Sequence, residues 1–141
     1  MNEVSLLRLY LLRAMYLFIV VGLGNLIWPE VLNRHGAWEL NEGVVVCMLA
    51  GFSLMALLGL RYPLQMLPVL FWEMTWKLIW LFNGALPRYL NGTMDEHLAH
   101  YAFQVAFVVI IPLVIPWGYV FDHYIRKSGD RWGSARVPAK A

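Results

Sequence analysis

Residues 43–60 form the uninterrupted apolar stretch GVVVCMLAGFSLMALLGL, and Arg61-Tyr62-Pro63 follows at once. The stretch has no charged residue, and its length is close to the ~20 residues that a helix needs to cross roughly 30 Å of hydrocarbon. The arginine and the proline after it leave room for only a short turn. The stretch therefore predicts a transmembrane helix with an antiparallel neighbour directly after it.

Three further apolar segments have a similar length, at residues 6–28, 64–86 and 98–120. None alternates with the period of two that is typical of transmembrane barrel strands, and helices satisfy every backbone amide in lipid. The sequence therefore predicts an all-α membrane protein, a four-transmembrane-helix bundle formed by residues 1–127. The remainder, 128–141, is rich in polar and basic residues and is predicted to be a flexible tail.

The composition supports a lipid-embedded chain. Of its 141 residues, 60% are hydrophobic and 14% are charged, whereas soluble domains average about 45–50% and roughly 25%. The net charge of +2 is too small to favour a nucleic-acid partner. Cys47 is the only cysteine, which excludes an internal disulfide. The sequence contains no phosphate-binding loop, GxSxG or CxxC motif, so it predicts no cofactor and favours a protein that is not an enzyme.

The distribution of basic residues predicts the orientation. One side of the predicted bundle carries Arg8, Arg13, Arg61, Arg126, Lys127, Arg131, Arg136 and Lys140. The other side carries only Arg34 and Arg88. Both termini are therefore expected on the cytoplasmic side of a bacterial inner membrane. An alternative is a cleaved signal peptide that ends near Gly22-Leu23-Gly24, although the apolar run continues through Leu26-Ile27-Trp28.

The third predicted span contains two charged residues, Glu73 and Lys77, with Trp76 between them. Each charge near a helix centre costs about 2.5–3.5 kcal/mol on insertion, and the order Glu then Lys at i, i+4 favours an ion pair that lowers this cost. Candidate partners from other helices are Asn25, Gln104 and Arg13. These residues form a candidate intramembrane polar site, which is either a proton, ion or solute site or a pair that locks the third helix in the bundle.

A second candidate site lies on the predicted outer face. His97 and His100 are three positions apart near the start of the fourth span, and the first loop offers His35 and Glu39. Two histidines at i, i+3 together with a carboxylate from another loop match a divalent-metal site. The alternative is a solvated face with incidental histidines, since the sequence has no HExxH motif.

Two further patterns concern helix packing. Gly43, Cys47 and Gly51 recur every four residues along the second span, and this stripe of small side chains would allow another helix to approach closely. Pro112 and Pro116 lie one turn apart in the fourth span and are expected to kink it.

The stretch GLRYPLQMLP at residues 59–68, with Glu73 and Trp76-Lys77 after it, resembles uncharacterised bacterial four-span inner-membrane proteins, as do residues 115–120 and 129–132. In size and number of spans the chain also loosely resembles DoxX-like membrane proteins. That resemblance implies a quinone-linked redox component and assigns no residue a role. The residues themselves favour an accessory or structural subunit of a membrane complex, in a homo-oligomer or with another membrane subunit. An oligomeric small-solute or proton-coupled transporter that uses Glu73 and Lys77 is the alternative.

Overall fold

Helices make up most of the chain in the computed structural model, which describes residues 3–34 and 37–133. No strand occurs within those two ranges. The helices are α1 (Leu6–Leu26), α2 (Trp28–Arg34), α3 (Leu40–Arg61), α4 (Leu67–Trp80), α5 (Leu86–Leu90), α6 (Glu96–Ala106), α7 (Ile110–Val114) and α8 (Trp117–Phe121). A π-helical turn, Leu81–Ala85, joins α4 to α5, a 3₁₀ turn, Phe107–Val109, joins α6 to α7, and a second π-helical turn, Asp122–Arg126, follows α8.

Three helical stretches are long and apolar enough to cross a membrane: Leu6–Asn33, Leu40–Arg61 and Glu96–Val114. The helical residues 67–90 also run without interruption through the π-helical turn, but they are not among the three. Glu73 and Lys77 lie in this segment, and their charges lower its mean hydropathy. The prediction of an all-helical chain is therefore confirmed for the described residues, three helices are long and apolar enough to cross a membrane, and the fourth span stays a prediction.

The fourth predicted span ends earlier than residue 120. Helix α7 stops at Val114, Ile115 is extended, and α8 starts after Pro116. Proline has no backbone N–H and cannot continue the helical hydrogen-bond ladder. The Trp117 indole N–H takes over this role and donates to the Pro112 carbonyl at 2.8 Å. The expected kink is thus a complete break at Pro116, and the chain from α8 onward forms a separate short helix.

The two basic residues of α1 lie at one end of the bundle, next to the break in the fourth helix and the end of α3. The Arg8 guanidinium donates to the carbonyl oxygens of Leu113 at 3.0 Å and Ile115 at 3.3 Å, where the fourth helix is broken. The Arg13 side chain donates to the Leu60 carbonyl at 3.0 Å, at the end of α3. We call the end of the bundle that contains Arg8 and Arg13 the basic end. Both arginines bind carbonyl groups that a helix end leaves without an amide partner.

The closest helix pair in the core is α1 with α3. Tyr16 of α1 is fully buried, and its hydroxyl donates to the Pro63 carbonyl at 2.9 Å. Gly59 of α3 lies against the tyrosine ring, so that a Cβ at this position would be 2.5 Å from a ring carbon. The predicted stripe of small residues on α3 is not used in this contact, since Gly51 has open space beside it and Cys47 is exposed. The close approach of α1 and α3 therefore depends on Gly59, which is not part of the predicted stripe.

Candidate functional site

The candidate polar site lies on α4, a helix that begins at Leu67 with a proline in its first turn. Proline fits the first turn because the amide it lacks would have no helical partner there. Glu73 lies in the second turn of α4 and is 6% exposed. Lys77 is one turn further along, and its side chain is 19% exposed. The helix therefore places a buried carboxylate next to a partly accessible ammonium group.

Both oxygens of the Glu73 carboxylate have a partner on the same helix. Oε1 lies 2.5 Å from the Lys77 Nζ, and Oε2 accepts a hydrogen bond of 2.8 Å from the Trp76 indole Nε1. The Lys77 ammonium also lies 5.7 Å from the centre of the Trp76 ring, a distance compatible with a cation–π interaction. Charge-assisted hydrogen bonds of this kind are the strong ones. Residues i, i+3 and i+4 of one helix thus form a compact charged cluster, the Glu73 cluster.

Aromatic side chains connect the Glu73 cluster to a neighbouring helix. The Trp76 ring lies 6.4 Å from the Trp72 ring, which in turn lies 5.3 Å from the ring of Phe52 in α3. Trp72, Trp76 and Trp80 recur every four residues along α4 and form a tryptophan stripe. At its far end, Trp80 makes an edge contact with Tyr101 of α6 at 5.0 Å. The stripe therefore packs α4 against both α3 and α6. Within the described residues, the stripe packs against neighbouring aromatic rings, and Trp76 also donates a hydrogen bond to Glu73.

Two of the three expected partners from other helices bind elsewhere. Gln104 lies 3.2 Å from the His100 ring on its own helix, and the Arg13 side chain binds the Leu60 carbonyl. Asn25 is exposed on α1. The cluster is complete without these three residues because the helical spacing alone supplies two donors. The structure brings Glu73, Trp76 and Lys77 together and leaves the other candidates apart.

The candidate metal residues on the opposite end do not form a cluster within the described residues. His97 and His100 are exposed on α6, and Glu39 is exposed at the residue before α3. His35 lies outside the described residues. In the ranges 3–34 and 37–133, no three side chains of the types His, Cys, Asp or Glu lie close enough to hold one ion. The outer-face metal site stays a prediction.

The sequence interpretation missed a group of residues at the basic end. The rings of Tyr119 and His123 stack at 5.1 Å with an angle of 11° between their planes. Asp122 binds Arg126 at 3.0 Å. Burial raises the pKa of the Tyr124 hydroxyl, and the neighbouring Tyr119 raises it further. The i, i+4 spacing of Tyr119 and His123 after Pro116 was the available signal.

Comparison of the chain with protein-family models, with curated proteins and with solved structures gives no match. The function is therefore inferred from the residues and their geometry.

Proposed function

We propose that the chain is a four-span protein of a bacterial inner membrane that serves as an accessory or structural subunit of a membrane complex. Three apolar helices support the membrane location. The helical residues 67–90 supply the fourth span in this proposal, since their length also suffices at ~1.5 Å per residue. Large hydrophobic side chains are exposed along α1, α3 and α6, as expected for surfaces in contact with lipid or with other subunits.

The observation that supports a structural role is that both oxygens of the Glu73 carboxylate have a partner. Its two carboxylate oxygens are bound by Lys77 and Trp76, and a bound ion pair neutralises the charge that a free carboxylate would present to a proton or a solute. A relay also needs a group beyond the pair that receives the proton, and Glu73 is the only buried carboxylate among the described residues. The partners of Glu73 all belong to one helix turn. This geometry supports a pair that makes α4 compatible with the membrane.

The proposed orientation places both termini in the cytoplasm. The basic end gathers Arg8 and Arg13 beside the broken fourth helix and the end of α3. Arg61 lies at the end of α3 on the same side. An excess of arginine and lysine near the ends of spans marks the cytoplasmic side in bacterial membranes. A phosphatase or fluorescent reporter fused after Ala141 tests this orientation, and periplasmic activity would contradict it.

The structural role is tested with Glu73→Gln, Lys77→Met and the double variant. Removing one partner of a buried pair costs about 3–5 kcal/mol, whereas removing both charges is often nearly neutral. We expect each single change to lower the yield of folded protein in the membrane, and the double change to restore it. The measurement is the monodisperse fraction after extraction in mild detergent.

Two controls remove a charge of the same sign at exposed positions. Glu96→Gln lies in the first turn of α6, and Arg88→Met lies in α5. Neither change is expected to alter the yield. If Glu73→Gln stays folded and abolishes a pH-dependent flux in vesicles, the chain is a transporter and the structural role is wrong. An absorbance band and extracted quinone in the purified protein would instead indicate the redox alternative.

The subunit role is tested by isolation of the tagged full chain from its native membrane in mild detergent. We expect a second membrane protein to copurify in a fixed ratio through two successive columns. The double variant at Glu73 and Lys77 should retain the same partner, since its surfaces are otherwise unchanged. A chain that elutes only with lipid and detergent, at the mass of the isolated protomer, would contradict an accessory role.

A further inference from the structure

A cavity of about 960 Å³ opens at the basic end of the bundle. Three parts of the chain meet there. They are the start of α1 with the residues before it, the turn between α3 and α4, and the segment that follows the break at Pro116. The volume lies at the upper end of the range of ordinary small-molecule sites, about 300–1,000 Å³.

One part of the cavity wall carries charges of both signs. Glu3 and Asp122 contribute carboxylates, and Lys127 contributes an ammonium group. Asp122 is held in place by Arg126 at 3.0 Å. His123 also lines this part, stacked on the Tyr119 ring. A ligand that matches this wall has a cationic and an anionic group close together.

The other part of the wall is apolar. Val4 and Leu9 line it from the start of α1, and Leu64 lines it from the turn before α4. Tyr119 adds an aromatic ring to the lining, and aromatic rings with a polar tip are common where a site is half in lipid and half in water. The ligand that fits both parts is an amphiphile with a charged head.

We propose that this cavity binds the headgroup of a zwitterionic phospholipid, with the phosphate at Lys127 and His123 and the ammonium at Glu3 and Asp122. A lysine provides a point charge for a phosphate, and carboxylates accept hydrogen bonds from a primary ammonium group. The glycerol and the first acyl carbons lie against the apolar part of the wall. The inference rests on the membrane location in the proposed function, and it adds a specific lipid to that role.

The test uses the full chain purified in mild detergent and native mass spectrometry with phosphatidylethanolamine or phosphatidylglycerol added at equal concentration. We expect phosphatidylethanolamine to bind about tenfold more tightly, because only its head carries both charges. Lys127→Met and Glu3→Gln should each weaken its binding by roughly the same factor, since each removes one charge-assisted hydrogen bond. Both residues are exposed, so neither change should affect folding.

Arg131→Met is the matched control, because Arg131 is exposed and does not line the cavity. The control should bind phosphatidylethanolamine as the unmodified protein does. Equal binding of the two lipids, or an equal loss in Lys127→Met and Arg131→Met, would show general attraction of lipid to positive charge and overturn the proposal. Displacement of the lipid by an equal concentration of glycerophosphoethanolamine would show that the free headgroup is the ligand, and would overturn it as well.

The failure of this inference is distinguishable from failure of the proposed function. A chain that stays in the membrane, copurifies with its partner and shows no lipid preference contradicts only the cavity assignment. A native chain recovered intact from a detergent-free aqueous fraction contradicts both.

Discussion

Tyr16 and Glu73 are both polar side chains inside the bundle, but their polar atoms are satisfied in different ways. The Tyr16 hydroxyl donates across the core to the Pro63 carbonyl, in the turn between α3 and α4. The Glu73 carboxylate is bound entirely by Trp76 and Lys77 of its own helix. Tyr16 is therefore satisfied only when α1 lies against α3. Glu73 is satisfied as soon as α4 is helical.

The difference separates two requirements of a helical membrane protein. A helix must first be stable in lipid on its own, and then it must pack with its neighbours. The Glu73 cluster serves the first requirement, because its hydrogen bonds need no other helix. The contact between Tyr16, Gly59 and Pro63 serves the second. Substitutions in the first region should change the amount of inserted protein, and substitutions in the second should change the stability of the folded bundle.

At the contact between α1 and α3, the largest expected loss of bundle stability follows Gly59→Val. A Cβ at residue 59 would lie 2.5 Å from a carbon of the Tyr16 ring, and Tyr16 is fully buried, so the ring has no free space into which it can move. Overpacking of a core costs typically 1–3 kcal/mol, and the branched valine adds two further carbons. We expect a loss of about 3 kcal/mol in the free energy of unfolding, measured by denaturant titration in detergent micelles.

The control for this prediction is Gly51→Val on the same helix. No atom lies within 4 Å of a Cβ at residue 51, so the same change should leave the unfolding free energy within about 0.5 kcal/mol. Equal losses in the two variants would indicate that glycine content, and not the contact with Tyr16, sets the stability of α3. The comparison between the two regions would then fail.

The local features of the fold could be predicted from the sequence. The length of the apolar stretch alone predicted a helix over residues 43–60, and this helix matches α3 (Leu40–Arg61) within three residues at each end. The spacing of Glu73 and Lys77 also fixes their distance within any helix, so the pair is visible before the structure is known. Pro112 and Pro116 predicted a kink in the fourth helix, because proline removes a ladder amide; the structure has a full break, and it lies at Pro116.

The features that depend on which helices meet could not be predicted. The sequence offers Gly43, Gly51 and Gly59 on one helix, and only the packing of α1 selects Gly59 as the point of close approach. The cavity at the basic end brings together Leu9, Leu64 and Lys127, which are far apart in the chain. Such sets are fixed by tertiary contacts, and periodicity along one segment carries no information about them.

A smaller loss is expected for Trp76→Phe. The change keeps an aromatic ring beside Trp72 and removes the indole N–H that binds the Glu73 Oε2. Hydrogen bonds to charged groups contribute about 1.5–3 kcal/mol. We expect a loss of about 2 kcal/mol, seen mainly as less inserted protein in a membrane-integration assay. The control is Trp80→Phe, which keeps an aromatic ring near Tyr101 and leaves Glu73 with its donor. A larger effect of the control would contradict a special role for the indole at residue 76.

The smallest loss is expected for Tyr16→Phe, which keeps the ring against Gly59 and removes only the hydroxyl. The Pro63 carbonyl then loses a donor at 2.9 Å, and a neutral hydrogen bond contributes about 1 kcal/mol. This loss should appear in the denaturant titration and leave membrane insertion unchanged, because α1 stays apolar. Its combination with Gly59→Val should cost no more than Gly59→Val alone, since the displaced ring has already lost the hydrogen bond to Pro63. Additive losses would show that the ring and the hydroxyl act independently, and that the contact between α1 and α3 is not one unit.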